Sequence, residues 1–491
     1  METKEKIRLS GLLLGPMAFI IIRLGGGETL SPLAWDVLSV AAWMIIWWLS
    51  EAIPIFATAL LPLVLFPYTG VFEIKEAALN YANPVIFLFM GGFIIALGLE
   101  KHNLHQRIAL NLIRVTGTHA NGIIMGFMIA TACLSMWISN TATAVMMLPI
   151  AMSVIQLLES KTEVAETQDG KSPFSLFALS LFLGIAYAAN IGGITTIIGT
   201  PPNVVYVGFV EEFFDYNIAF NRWLLIGIPV SMTLLLATYL LLTKVLFPNN
   251  LGKISGAREI INDRLKALGT FSKEEKLVTF VFGLTAGAWI FKNPINNLIG
   301  DSLLNDTVTA MTGGILMFIV PVDFKKGEKL IGWEEMKRLP WGILLLFGGG
   351  IALARAMESA GLIQLIGASI SGHPFFTGWL LILALTSVML FMTELMSNIA
   401  LTTIFIPVAF GIAQGSGIHP LILTIPLTLA ASCAFMMPIS TPPNAIVFAS
   451  GHIRMKDMMK AGFFLNIVSI IVLVLFSATL FEWVYGNVLS P

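Results

Sequence analysis

Residues 135–149 read SMWISNTATAVMMLP, and residues 393–407 read TELMSNIALTTIFIP. Each lies inside a long apolar stretch. Residues 120–158 contain no Asp, Glu, Lys or Arg, and residues 375–413 contain only Glu394. A stretch of that length with Ser-Asn at its middle reads as two apolar arms joined by a break, a hairpin that enters the membrane and returns. Ser and Asn favour helix N-caps. A second arm starting at the break aims free N–H groups at a ligand and favours an anion. The first arm ends there with free carbonyls, which favour a cation. Such a tip can hold Na+ and a carboxylate with no charged side chain.

Two further stretches read NIGGITTIIGTPPN (190–203) and MMPISTPPN (436–444). Consecutive prolines cannot continue a helix, because each lacks an N–H and crowds the preceding turn. Each TPPN therefore marks a broken span. Irregular backbone at membrane depth must be buried or line a cavity. Thr200, Asn203, Thr441 and Asn444 add side-chain oxygens.

These pairs belong to an internal repeat. At a constant shift of 258 residues, Gly91-Gly92 falls on Gly349-Gly350, Glu100 on Glu358, Gln106 on Gln364, Ser139-Asn140 on Ser397-Asn398, and Pro149 on Pro407. The glycines, with Gly348, read as close helix packing, since no P-loop spacing follows.

Composition sets the solvent. Of 491 residues, 56% are hydrophobic and 12% charged, against roughly 25% charged in soluble chains. The excess apolar surface needs a bilayer. A net charge of −1 offers no basic field for nucleic acid. Cys133 and Cys433 lie in apolar stretches and read as packing residues. The start, METKEKIRLS before GLLLGPMAFIIIRL, reads as a charged head and first span, not a cleaved signal peptide.

Spans are expected near 9–23, 33–50, 54–70, 84–100, 176–210, 222–246, 277–291, 303–320, 341–357, 420–451 and 461–481. Basic residues cluster at Lys4 to Arg8, Lys101 to Arg114, Lys161 and Lys171, Lys244 to Lys276, Lys325 to Arg338 and Arg454 to Lys460. The loop 24–32 and the tail 482–491 have none, and 292–302 has only Lys292. The positive-inside rule then puts the N-terminus in the cytoplasm and the C-terminus outside. About eleven crossings plus two re-entrant hairpins satisfy every loop, and the two repeats run in opposite senses. Inverted repeats with broken helices mark secondary transporters. The expected fold is an all-α membrane protein of this kind.

Glu394 stands inside a hairpin, where acids are costly and functional by default. Two roles stay open: balancing a cation or relaying a proton, or facing a water-filled rim. The histidines at 102, 105, 119, 373, 419 and 452 fall near span ends and read as interfacial. An enzyme has little support: there is no H-E-x-x-H pair, no G-x-S-x-G elbow and no paired midspan aspartates.

At the Ser-Asn tips and TPPN breaks the chain resembles the divalent-anion/sodium symporter family, which carries dicarboxylates, citrate or sulfate, and the resemblance covers nearly the whole chain. It implies a multi-pass plasma-membrane homodimer working as an elevator. The scaffold would be 1–100 and 277–357, and the arms 101–118 and 358–374. The transport domain would be 120–246 and 375–481, with a cytoplasmic connector at 247–276. The resemblance implies no cofactor beyond Na+ as coupling ion. It implies one sodium site at Ser135, Ser139, Asn140 and Gly199, and another at Thr393, Met396, Asn398 and Ser440. Substrate would meet Ser139, Asn140, Thr141, Thr200 and Pro201 from one half, and Ser397, Asn398, Ile399, Thr441 and Pro442 from the other. Ile399 departs from the Thr often found there, which removes a hydroxyl and narrows the pocket. The expected activity is Na+-coupled symport of a C4 dicarboxylate such as succinate, malate or fumarate. Na+-independent exchange, and citrate or sulfate as substrate, are the rivals.

Overall fold

The computed structural model describes residues 2–159, 172–254, 256–300, 304–323, 325–371 and 378–488. Lys161, Lys171 and His373, the start of the span expected at 303, the end of the second arm and the start of the second hairpin lie outside them. Apart from a two-stranded ribbon pairing Pro321–Asp323 with Glu328–Lys329, the described regular structure is helical.

Among the described residues, nine helices are long and apolar enough to cross a membrane. They include Asn140–Glu159 and Asn398–Gly415, the return arms of the two stretches read as hairpins. Several expected spans take another form. The stretch 54–70 is two short helices, Ile55–Thr58 and Leu61–Thr69, separated at Ala59 and Leu60, with Pro62 in the first turn of the second. Residues 176–210 divide into Pro173–Gly193 and Pro201–Phe214, and 420–451 into Pro420–Ala431 and Pro442–Phe448. Each second piece begins at a TPPN proline, where a missing N–H costs nothing because the first turn has no intrahelical acceptor.

Helix starts follow their caps. Ser31, Asn83 and Ser172 accept from N–H groups two or three residues on. Ser272 and Glu275 form a capping box at Lys273–Ile290, which satisfies two otherwise orphan donors. The repeat glycines sit where helices meet backbone to backbone. A Cβ on Gly91 would strike Ala310, and one on Gly349 would strike Ala59.

Polar contacts sort the loops into two sets. In one, Arg8 Nε donates to Glu51 O, Lys101 pairs with Glu335, segments 118–120 and 252–254 exchange backbone bonds, and Arg264 reaches Ser153 Oγ. In the other, Arg23 pairs with Asp36, Thr307 Oγ1 donates to Pro84 O, Phe220 N donates to Asp306 Oδ2, and Arg355 lies 3.5 Å from Glu212. The helix Pro84–Lys101 has one end in each set, so the sets are opposite faces.

The amphipathic stretch 101–118 is the helix Leu104–Val115. Arg107 on it donates to both Glu275 oxygens, at 2.6 and 3.1 Å, and to the carbonyls of Leu268, Gly269 and Thr270. Burial opposes the Glu275 charge, yet Arg107 and the Ser272 N–H outweigh it and hold that carboxyl below the usual range. His105 differs from the interfacial expectation. It is buried, with Nδ1 3.0 Å from Leu99 O, because it lies on the arm's apolar face.

Candidate functional site

Both Ser-Asn tips are short breaks between helices. The first separates Ala120–Ser135 from Asn140–Glu159, and the second separates Gly378–Thr393 from Asn398–Gly415. Ser139 Oγ accepts from Ala142 N at 3.1 Å, and Ser397 Oγ from Ala400 N at 3.5 Å. The Ser residues are thus the N-caps, as the sequence suggested.

Behind each tip lies the same group of oxygens. Ser135 Oγ stands 2.6 Å from Asn140 Oδ1 and 2.7 Å from Ala189 O. Thr393 Oγ1 stands 2.7 Å from Asn398 Oδ1 and 2.6 Å from Ala431 O. In each, three oxygens share one hydroxyl hydrogen, so acceptors exceed donors. That surplus suits a hard cation, which takes oxygen ligands. Ser135 and Thr393 are fully buried, so they stand behind the cavity wall and not on it.

The breaks dock against the tips. A Cβ on Gly193 would come within 2.7 Å of Asn140 Oδ1, and Gly199 faces the Gly193 carbonyl as closely. The TPPN asparagines act as internal braces. Asn203 Nδ2 donates to Thr196 O at 2.8 Å, with the carbonyls of Gly193 and Ile194 farther off. Asn444 Nδ2 donates to Ala434 O and Met437 O, both at 3.1 Å. Their side-chain oxygens are buried without a donor.

A cavity of about 650 Å³ separates the two halves. Every residue expected at a substrate position lines it: Ser139, Asn140, Thr141, Thr200, Pro201, Ser397, Asn398, Ile399, Thr441 and Pro442. Gly199, Met396 and Ser440 line it too. The opposite wall is Phe89, Phe93, Ala96 and Leu97, and the mouth carries Glu51, Glu100 and Arg338. Arg338 is paired with Glu100 at 2.8 Å. The tips themselves present helix N-termini, hydroxyls and amides and no charged group. Among the described residues, no group of His, Cys, Asp and Glu could hold a transition metal.

Sequence reasoning passed over two polar residues. Asn190 lines the cavity and ties the halves together, donating to Ala434 O and Thr441 Oγ1 at 3.1 Å. Asn466 reaches Glu394 from the helix Met455–Phe476. Each is a single Asn in a long apolar run, and that was the available signal. Glu394 itself is 3% exposed and sits beneath the second tip, bonded to backbone N–H groups. It faces no water-filled rim.

Helices of membrane-spanning length, paired broken spans and one cavity between repeated tips define an integral membrane carrier. The chain belongs to the family described as the sodium:sulfate symporter transmembrane region, whose pattern matches residues 8–486. It is 39% identical over 471 residues to the sodium-dependent dicarboxylate transporter SdcS of Staphylococcus saprophyticus, covering 95% of this chain and 90% of that protein. It is 38% identical over 473 residues to the SdcS of Staphylococcus aureus strain USA300, with the same coverage. In fold alone it resembles the YdaH transporter of Alcanivorax borkumensis, with a TM-score of 0.57 and 13% identity, over 93% of this chain and 100% of that one. MtrF of Neisseria gonorrhoeae gives a TM-score of 0.53 and 13% identity over 84% of each chain. The protein is a transporter and not an enzyme.

Proposed function

We propose that this protein carries C4 dicarboxylates such as succinate, malate or fumarate across the plasma membrane in symport with Na+. The observation that carries the reading is the pair of oxygen groups behind the tips, Ser135–Asn140–Ala189 and Thr393–Asn398–Ala431. An acceptor-rich group repels a dianion until a cation sits in it. A cation and a carboxylate about 6 Å apart attract by roughly 3 kcal/mol at an effective dielectric of about 20. That is a hundredfold in affinity, and linkage makes it reciprocal. Na+ binds first, and the dianion then takes the N-termini of Asn140–Glu159 and Asn398–Gly415 together with Ser139, Thr141, Ser397 and Thr200. The printed names of the SdcS relatives agree with both cargoes.

In this reading the face bearing Arg8, Lys101 and Arg264 is cytoplasmic, the C-terminus is extracellular, and the cavity mouth at Glu100 and Arg338 opens inward. The scaffold of a homodimer holds still while the tips and breaks slide as an elevator. Phe220, stacked 4.7 Å from Trp289 and capped by Asp306, lies across the seam that must slip.

The test is radiolabelled succinate uptake into proteoliposomes, empty or preloaded with succinate, with and without an inward Na+ gradient. Accumulation in empty vesicles that requires Na+ is expected. Uptake only into preloaded vesicles, indifferent to Na+, makes the protein an exchanger and removes the sodium assignment.

A further inference from the structure

The two broken spans differ in how much backbone they leave unwound. In the first half, residues 194–200 separate Pro173–Gly193 from Pro201–Phe214, and short-range bonds serve the break: Thr195 N donates to Gly192 O, and Gly199 N to Thr196 O. In the second half, residues 432–441 separate Pro420–Ala431 from Pro442–Phe448. N–H groups exposed by unwinding need acceptors inside a membrane protein. Glu394 supplies them. Phe435 N, Met436 N and Met437 N donate to its carboxylate at 2.8, 3.0 and 3.3 Å. Ser440 Oγ at 2.7 Å and Asn466 Nδ2 at 2.8 Å complete the set. Consecutive N–H groups turned to one point form an anion-binding nest, and here the anion is a side chain.

The surroundings enforce this arrangement. Gly462 brings its helix against the backbone of Phe435 and Met436, where a Cβ would overlap it. Asn466 lies one turn further along the same helix. All five donors are neutral groups, so the carboxylate charge remains available to attract a cation toward the adjacent Thr393, Asn398 and Ala431 oxygens. The repeat position in the first half is Met136, which offers only its carbonyl, taken by Thr196 Oγ1 at 2.6 Å.

We propose that Glu394 is a positioning residue, a resident anion that holds 435–440 in shape before any ligand arrives. The second half-site is thereby preformed and cation-attracting. The inference rests on the Na+-coupled reading above.

Hydrogen exchange on the purified protein, in choline and in Na+, tests it. Wild-type 434–441 should be protected in both. Glu394→Gln should lose protection of 434–441 in choline and regain it at high Na+. The Na+ concentration for half-maximal succinate uptake should rise about tenfold or more, the scale of losing bonds to a charged group. Succinate KM at saturating Na+ should stay within about twofold. Asn466→Ala, which keeps the carboxylate, should shift Na+ dependence the same way by about threefold. Free exchange of 434–441 in Na+-free wild type overturns the proposal. So does a variant that raises succinate KM as much as it raises the Na+ requirement. Succinate accumulation by wild type without Na+ refutes symport itself, and the exchange result stands apart from it.

Discussion

Ser135 and Asn140 in the first half meet Ala189 O as Thr393 and Asn398 in the second meet Ala431 O, with distances that agree to 0.1 Å. Behind those matched tips the halves diverge. Residues 190–200 are buried throughout, whereas Ile439 in the second break is 75% exposed to the cavity. The helix after the first TPPN runs for 14 residues and the one after the second for 7. The arms differ as well. Leu104–Val115 is clasped by Arg107 to the connector and Glu275, while Gly367 of Leu362–Ser371 and Gly411 and Gly415 of the second hairpin lie backbone to backbone. A duplicated site thus keeps its tip oxygens alike and lets its supports drift. The supports answer to different neighbours.

The largest expected effects test the matched part. Asn140→Ala and Asn398→Ala should each lower succinate uptake by about a hundredfold or more, since each strips an oxygen from a convergent group. Near-normal uptake in either variant breaks the equivalence of the tips. Gly193→Ala, whose Cβ would meet the Asn140 amide, should lower uptake by about tenfold while the protein still folds, as overpacking costs about 1–3 kcal/mol. Unchanged uptake would mean the first tip is not held against that break.

Smaller effects sharpen the unmatched part. Ile399→Thr restores in the second tip the hydroxyl that Thr141 gives the first. Succinate affinity should tighten by about twofold to tenfold, the worth of one hydrogen bond, as read by competition in uptake. Arg107→Gln should lower the melting temperature at pH 7 by a few degrees, because Glu275 is left buried without its partner. Glu275 has a folded pKa below its unfolded value, so its contribution is full at neutral pH and lost as pH falls through the folded value. The gap between wild type and Arg107→Gln should close in acid, as pH falls past the ordinary glutamate range.

Much of this was legible in the residues. Ser-Asn in a charge-free stretch, Pro-Pro within an apolar span and a repeat at fixed shift each carry a backbone rule, and they located the tips, the breaks and the cavity lining. What remained hidden depends on pairing across the chain. The role of Glu394 could not be read, because its donors lie about forty and seventy residues away, at Phe435 and Asn466. The Asn203 and Asn444 amides turned inward to brace carbonyls, a choice that local sequence leaves open. The division of 54–70 into two short helices depends on how the second begins at Leu61 and Pro62, a detail an apolar count ignores.

If both tips close on one ligand, that ligand should shield both at once. In a background with Cys133 and Cys433 replaced, single cysteines at Thr141 and Ile399 would be labelled with a small thiol reagent. Succinate should protect both positions, to the same extent and over the same concentration range, and only when Na+ is present. Protection of one position alone, or protection that ignores Na+, would contradict it.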